Sequence, residues 1–197
     1  LTATIEGADI GKYIGDLISR VTAHEKIEVI TNALVVGYSG FKGNFTTEIM
    51  VGPEMKQRKL EHGVVILATG AHEHKPKEYL YGDDPRVMTQ LELADRMKKG
   101  ELDEPQQVVM IQCIGSRNEE NPNCSRVCCQ TAIKNALHIK EKYPDAEVFV
   151  LYRDIRTYGL LEDYYTEARR QGVFFFRFDP EDPPVAEAAQ DGIEVTF

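Results

Sequence analysis

The hydrophobic pattern of the first part of the chain predicts one helix followed by β structure. Apolar residues between positions 9 and 22 recur at intervals of three and four, so they share one face of a helix. Residues 26–30, 33–38 and 45–51 are short β-forming runs separated by turn residues. We therefore predict an amphipathic helix followed by a β meander.

An apolar run at residues 63–70 predicts a further strand. The run is uninterrupted and closes with Ala68, Thr69 and Gly70, a pattern typical of a strand buried on both faces of a parallel sheet. Small residues at such an end let the backbone pass close to a bound dinucleotide. Three residues are nevertheless a weak motif, because many parallel strands end in glycine. Residues 71–84 are polar and are predicted to form a connector.

After residue 107 the hydrophobic pattern predicts β-strands that alternate with α-helices. Predicted strands at 108–111, 147–152 and 173–178 are separated by predicted helices at 131–140 and 160–171. Strands and helices that alternate at this spacing are typical of a βαβαβ unit, whose sheet is parallel and whose crossovers are right-handed. The predicted fold class is therefore α/β.

A domain boundary is predicted near the middle of the chain. A helix over residues 90–98, with Thr89 as its N-cap, is followed by a proline-containing stretch at 102–107. The strand pattern restarts immediately after that stretch. We therefore predict two domains, residues 1–104 and residues 105–197.

Composition excludes some classes of partner. The chain has 197 residues, a net charge of −9 and a pI near 5.1. It has no basic stripe that would neutralise phosphates, so neither nucleic acid nor an anionic membrane is expected as its main partner. The longest apolar runs have the length of strands, and no signal sequence is evident, so we expect a cytoplasmic protein. The chain starts at Leu1 and stops within a predicted strand, so we expect it to be an internal piece of a longer polypeptide.

All four cysteines of the chain occur where a predicted strand passes into a predicted helix. In nucleotide-binding α/β domains this turn is rich in glycine and binds a pyrophosphate at the helix N-terminus. Here it carries thiols at a spacing of C-x10-C-x3-C-C, which is unlike the dispersed cysteines of a secreted disulfide protein. The pattern predicts a metal or redox site built from Cys113, Cys124, Cys128 and Cys129.

The thiols favour an iron-sulfur cluster over a single metal ion. Adjacent Cys128 and Cys129 do not easily occupy two corners of one zinc tetrahedron, whereas a cluster of four irons lets neighbouring residues bind different irons. A helix N-terminus also favours an anionic cluster. Three alternatives stay open from the residues alone: reduced structural thiols, a zinc-binding docking module and a dithiol-disulfide oxidoreductase.

The loop after the second strand of the βαβαβ unit has two interpretations. Residues 152–159 read YRDIRTYG and occupy the position at which an acidic or basic residue recognises the ribose of a nicotinamide cofactor. The same residues also suit a polar loop that precedes a helix. The sequence does not decide between the two interpretations.

Several stretches together resemble one family. VVMIQCIGSRNEENPNCSRVCC at 108–129, YRDIRTYG, TNALVVGYSGFKGNF at 31–45 and VVILATGAHEHKPKEYLYG at 64–82 are similar to the flavin and iron-sulfur A subunit of heterodisulfide reductase. They also resemble its relatives in quinone-interacting membrane-bound oxidoreductase complexes. The cysteine block with YRDIRTYG is the specific part of this resemblance.

The resemblance implies a fold, two cofactors and a function. The fold would be an FAD/NAD(P)-binding, thioredoxin-reductase-like three-layer α/β fold. The function would be to relay electrons between FAD and 4Fe-4S clusters. No catalytic residue is assigned to this chain. The implied partners are other electron-transfer subunits of a redox complex. A second copy of this chain, in a homodimer, is a further candidate partner. Arg117 and Arg126 are candidates for offsetting the cluster's charge. The implied FAD contacts are Val35, Ala68, Thr69 and Gly70, and the implied cluster ligands are Cys113, Cys124, Cys128 and Cys129.

Overall fold

A computed structural model describes residues 4–197 and divides them into two compact units. Residues 12–73 form one unit, and residues 4–11 together with 74–197 form the other, which we call the cysteine lobe. Helix α1 covers Ile10–Thr22, close to the predicted helix. No helix among the described residues is both long enough and apolar enough to cross a membrane.

The predicted β meander is confirmed in the unit formed by residues 12–73. Strands β1 (Ala33–Phe41), β2 (Asn44–Val51) and β3 (Lys56–His62) form an antiparallel sheet in that order. A two-residue turn joins β1 to β2, and Gly43 in this turn has a φ of +91° that suits glycine. A register shift between Val35 and Gly37 places a bulge in β1.

Two predicted strands of the same unit are not formed. Residues 26–30 have no strand conformation, and neither do residues 64–70, where Ile66 and Leu67 are each 85% exposed. The prediction of a buried parallel strand at 63–70 is therefore wrong for this structure. The physical reason is that a strand needs a hydrogen-bonded neighbour, and no described strand of this unit pairs with these residues.

The predicted βαβαβ unit is confirmed in the cysteine lobe. Strands β4, β5 and β6 form a parallel sheet in that order, with Met110 of β4 opposite Val150 of β5. Its elements in chain order are β4 (Gln107–Ile111), α3 (Cys128–Lys142), β5 (Glu147–Tyr152), α4 (Glu162–Arg170) and β6 (Phe174–Arg177). The last strands, β7 (Val185–Ala189) and β8 (Gly192–Thr196), form a separate antiparallel hairpin.

The main core of the cysteine lobe lies between one face of the parallel sheet and its helices. Met110, Val148 and Val150 of the sheet belong to one buried cluster with residues of α3, including Ile133 and Ile139, which are fully buried. Alternation along a strand puts every second residue on the same face, which explains why this face is continuous. Parallel packing of this kind fixes the ends of β4 and α3, which bound the cysteine loop.

Helix α2 (Gln90–Lys99) joins this core through Leu93. It has the predicted N-cap at Thr89, completed by the Glu92 side chain in a capping box, and it ends at Gly100 in the left-handed conformation. The overall fold class is mixed α/β, and the described residues form one parallel sheet and two antiparallel sheets. The predicted domain boundary at residue 104 stays a prediction.

Candidate functional site

The cysteine loop connects the end of β4 to the start of α3. Cys113 follows β4 by two residues, and α3 begins at Cys128, three residues before the predicted start. Cys128 and Cys129 therefore lie in the first turn of the helix, where backbone N–H groups have no partner within the helix. The N-cap residue Val127 offers no side-chain hydrogen bond, so this helix end stays electrically positive.

Cys129 is the most buried of the four cysteines. All four are free, and Cys129 is only 6% exposed, so burial raises the pKa of its thiol. A hydrogen bond from the backbone of Arg156 lowers this pKa, and the charges of Cys113, Cys128 and Cys124 raise it. The Cys129 thiol therefore lies in an environment that disfavours its charged form.

Hydrogen-bond donors already contact several of the sulfur atoms. The backbone N–H of Arg126 donates to the Cys124 Sγ at 3.4 Å, and the Ser125 Oγ lies 2.9 Å from the Cys128 Sγ. The Cys129 thiol donates to the carbonyl oxygen of Asp154 at 3.7 Å. The group of Arg126 that contacts a thiol is its backbone N–H, and the charge-offsetting role predicted for its side chain stays a prediction.

Arg117 links a thiol to the loop that follows β5. Its guanidinium lies 3.9 Å from the Cys113 Sγ and 2.6 Å from the Asp154 carboxylate. The ion pair lowers the pKa of Asp154 and raises the pKa of Arg117, with the hydrogen bond between them as the main cause. Arg117 is thus held in place beside a sulfur by an acidic partner.

The loop after β5 forms one wall of the site. Arg153 Nη1 donates to the carbonyl oxygen of Arg117, and Arg156 lies 3.8 Å from Asp154. This segment is YRDIRTYG, for which the sequence left a ribose-recognition role and a polar-loop role open. In the structure its charged groups bind the cysteine loop, because the carboxyl ends of neighbouring parallel strands meet at one edge of the sheet.

Backbone strain is concentrated in the cysteine loop. Cys113, Arg117 and Arg126 have φ values of +66°, +59° and +63°, which non-glycine residues rarely adopt. Gly115 has a φ of +64°, which suits glycine, and a Cβ there would lie 2.2 Å from the His74 ring, so a larger residue would also require that ring to move. Such strain is typical of functional loops, where the surrounding structure holds the chain in an unfavourable conformation.

Three buried hydrogen-bond donors lie in the segments that follow β4 and β5. Gln112 Nε2, Arg153 Nε and Thr157 Oγ1 are buried and lack a hydrogen-bond partner among the described residues. Each of these atoms carries a hydrogen to donate, so the site fits an anionic group with several acceptor atoms. Within residues 4–197, no group of three or more histidine, cysteine or acidic side chains has the arrangement of a metal-ion site.

The sequence did not identify four residues as parts of this site: Gln112, Arg153, Asp154 and Thr157. Gln112 precedes a cysteine, and the other three belong to the YRDIRTYG loop. The available signal was the position of that loop at the carboxyl end of the strand beside β4. It became interpretable only once β4 and β5 were seen to be neighbours.

The residues predicted to contact FAD lie in the unit of residues 12–73, outside the cavity of that unit. Val35 is 63% exposed in β1, and Ala68, Thr69 and Gly70 are exposed outside any strand. The cavity, about 390 Å³ in volume, is lined by residues of the 17–27 segment instead. This arrangement does not by itself form a flavin pocket.

Three curated relatives of this chain are all A subunits of heterodisulfide reductases. No protein-family model matches the chain. The chain is 36% identical over 166 residues to the A subunit of the ferredoxin:CoB-CoM heterodisulfide reductase of Methanosarcina acetivorans, covering 62% of this chain and 21% of the relative. It is 38% identical over 146 residues to the A subunit of the H(2):CoB-CoM heterodisulfide,ferredoxin reductase of Methanothermobacter thermautotrophicus, covering 64% and 22%.

A third relative carries iron-sulfur in its name. This iron-sulfur A subunit of the CoB--CoM heterodisulfide reductase of Methanopyrus kandleri is 40% identical over 156 residues, covering 66% of this chain and 23% of the relative. The chain thus spans about a fifth of the length of the curated relatives it matches.

Proposed function

The chain is homologous over 62–66% of its length to the A subunit of heterodisulfide reductase, and on that premise we propose that its cysteine loop holds a 4Fe-4S cluster. The protein is then an oxidoreductase subunit that relays electrons between FAD and iron-sulfur clusters. The proposed ligands are Cys113, Cys124, Cys128 and Cys129, since four thiolates are the usual ligand set of such a cluster.

The observation that carries this proposal is that four free thiols occupy the segment from the end of β4 into α3, where groups of Arg117, Ser125 and Arg126 contact three of the sulfurs. Thiolates are soft ligands that suit iron-sulfur clusters. The high pKa of the Cys129 thiol has burial as its main cause, and binding iron would replace the proton on that sulfur. Metal binding at this site therefore releases protons and relieves the repulsion between neighbouring thiolates.

The residues of this chain have distinct roles toward the cluster. The first turn of α3 offers N–H groups and a positive end to the thiolates of Cys128 and Cys129. Arg117 places a positive charge beside the Cys113 Sγ, and Asp154 holds Arg117 there. Burial of Cys129 excludes water from one side of the site. The bound cluster would supply one-electron transfer.

The proposal also covers FAD, the partner subunits and the location of the protein. In the flavoprotein, Val35 and residues 68–70 would contact FAD, as the family resemblance implies, once further parts of the protein complete a pocket. Partner subunits of a redox complex would exchange electrons with the cluster. We also propose a cytoplasmic location.

Anaerobic reconstitution tests the cluster. The purified chain is treated with ferrous iron and sulfide under argon, and bound iron and acid-labile sulfide are measured together with visible absorption. We expect about four irons and about four sulfides per chain, as for a cluster of the 4Fe-4S type. Cys129→Ser is expected to lower the iron content sharply, because it removes the most buried ligand.

A matched variant controls for structural changes near the thiols that do not remove a ligand. Ser125→Ala removes the hydroxyl beside the Cys128 Sγ but leaves all four thiols, so it is expected to retain iron. Binding of one zinc per chain without labile sulfide would contradict the proposal. So would fewer than about two irons in the unsubstituted chain, because a 4Fe-4S cluster contains four.

A further inference from the structure

Two buried side chains have hydrogens to donate and nothing that accepts them. Gln112 is 4% exposed and Thr157 is 2% exposed, and in the described part of the chain neither the Gln112 Nε2 nor the Thr157 Oγ1 has a hydrogen-bond partner. Unpaired buried donors are costly and uncommon in folded proteins, so each one calls for a physical explanation. Gln112 immediately precedes Cys113, and Thr157 immediately follows Arg156.

The position of Gln112 directs its side chain toward α3. Its backbone N–H donates to the carbonyl oxygen of Leu151 at 2.9 Å, so it continues the pairing of β4 with β5. Residues two apart on a strand share a face, so the Gln112 side chain lies on the same face as Met110. Met110 packs in one cluster with Ile133 of α3, and the first turn of α3 holds Cys129.

Thr157 belongs to the loop after β5, whose backbone contacts the Cys129 thiol. It follows Arg156, whose backbone hydrogen-bonds the Cys129 sulfur and lowers the pKa of its thiol. It also lies three residues after Asp154, whose carbonyl oxygen accepts from the Cys129 thiol. Gln112 and Thr157 therefore belong to the two segments that border Cys129 from the ends of β4 and β5.

We infer that Gln112 and Thr157 are positioning residues that donate hydrogen bonds to the sulfur atoms of the bound cluster and raise its reduction potential. This inference rests on the proposed function, because the acceptors are the thiolate and sulfide sulfurs of that cluster. A hydrogen bond to sulfur stabilises the reduced form more, since that form carries one more negative charge. Neither side chain replaces a ligand.

The test compares near-isosteric variants that lack the donors. Gln112→Met and Thr157→Val are reconstituted anaerobically in the full chain and titrated with dithionite, which supplies one electron per cluster without making or breaking a bond in the protein. The signal of the reduced cluster is followed by electron paramagnetic resonance. At a fixed solution potential, each variant is expected to lower the ratio of reduced to oxidised cluster about tenfold. This change corresponds to a reduction potential lower by about 59 mV for one electron.

Matched controls use the same substitutions at distant positions. Gln107→Met changes the residue at the start of β4, where the Gln107 Nε2 donates to Glu147. Thr166→Val changes an exposed threonine of α4. Neither control is expected to shift the potential. A potential unchanged in both Gln112→Met and Thr157→Val, with iron content intact, would overturn the inference while leaving the proposed function standing.

A second measurement does not depend on the variants folding. Resonance Raman spectra of the unsubstituted reconstituted chain are recorded in H₂O and, after unfolding and refolding with cluster insertion, in D₂O. Iron-sulfur stretching bands that shift on deuteration support hydrogen bonds to sulfur, and bands that stay fixed contradict them. Absence of iron from the unsubstituted chain would overturn the proposed function itself, and this inference with it.

Discussion

The helix α1 and the helix α3 both carry apolar residues at helical spacing, yet they differ completely in burial. In α3, Ile133, Ala136 and Ile139 are fully buried against the parallel sheet. In α1, which is described along its whole length, no residue is buried, and Ile18 is 60% exposed. Periodicity therefore defines which face of a helix is apolar, whereas burial requires a neighbouring element that the periodicity does not specify.

The same contrast separates the two units. In residues 12–73, all of which the structure describes, Ile49 is the one buried residue, whereas the cysteine lobe contains a continuous core. The four thiols are attached to the ends of elements that this core holds in place. A metal site needs its ligands within a narrow range of positions, so the place of the proposed site in the well-packed unit has a physical reason.

The largest expected effect tests the difference in burial between the two helices. Ile139→Ala in α3 is expected to lower the free energy of unfolding by about 2–5 kcal/mol, because it leaves a cavity in the core. Ile18→Ala in α1 makes the same change on an exposed face and is expected to cost less than about 0.5 kcal/mol. Urea unfolding followed by circular dichroism measures both, and equal losses would contradict the contrast.

A smaller effect is expected from the cap of α2. Hydrogen bonding to Lys75 is the main cause that lowers the pKa of Glu92 to about 2, and Thr89 and Tyr81 add to it. A carboxyl whose pKa is depressed on folding stabilises the protein above its ordinary pKa near 4.5, and this contribution is lost as the pH falls toward 2.

Glu92→Gln tests this contribution. Glutamine keeps the capping box but removes the charge, and the side chain is 39% exposed, so solvent screening limits the expected loss to about 0.5–1 kcal/mol at pH 7. The difference from the unsubstituted chain is expected to disappear near pH 2, as measured by urea unfolding across pH. A difference that persists at low pH would show that packing, not charge, is responsible.

The smallest effect concerns the meander. Lys59 and Glu48 form a cross-strand ion pair at 2.8 Å on neighbouring strands. Ion pairs in solvent contribute little to stability, so Lys59→Met is expected to leave the urea midpoint unchanged within error. A clear decrease would mean that surface charge holds the meander together and that its lack of a core matters less than we infer.

Much of the cysteine lobe was predictable because its signals are local. The alternation of strands and helices and the Thr89 cap are confirmed. The resemblance to the A subunit of heterodisulfide reductase is confirmed by the curated relatives. The start of α3 was predicted three residues too late, because no capping side chain marks it and Cys128 is an unusual first residue. The FAD contacts and the cluster ligands stay predictions.

The strand predicted at 63–70 failed for a different reason. Its apolar residues are typical of a buried strand, but a strand forms only where a neighbour satisfies its backbone, and Ile66 and Leu67 are exposed here. The YRDIRTYG loop likewise kept two interpretations until its surroundings were known. In both places the sequence describes what a segment can do, and its neighbours determine which outcome occurs.

Sequence alone was enough to predict the order of elements in the cysteine lobe, the four thiols between β4 and α3, and the family that they resemble. Local periodicity and spacing are sufficient for these features. The three-dimensional arrangement was needed to show that Arg117 and Asp154 contact those thiols. It was also needed to show that Gln112 and Thr157 carry buried donors without a partner among the described residues. The reason is that parallel pairing of β4 with β5 brings together residues about forty positions apart, at an edge that no local pattern identifies.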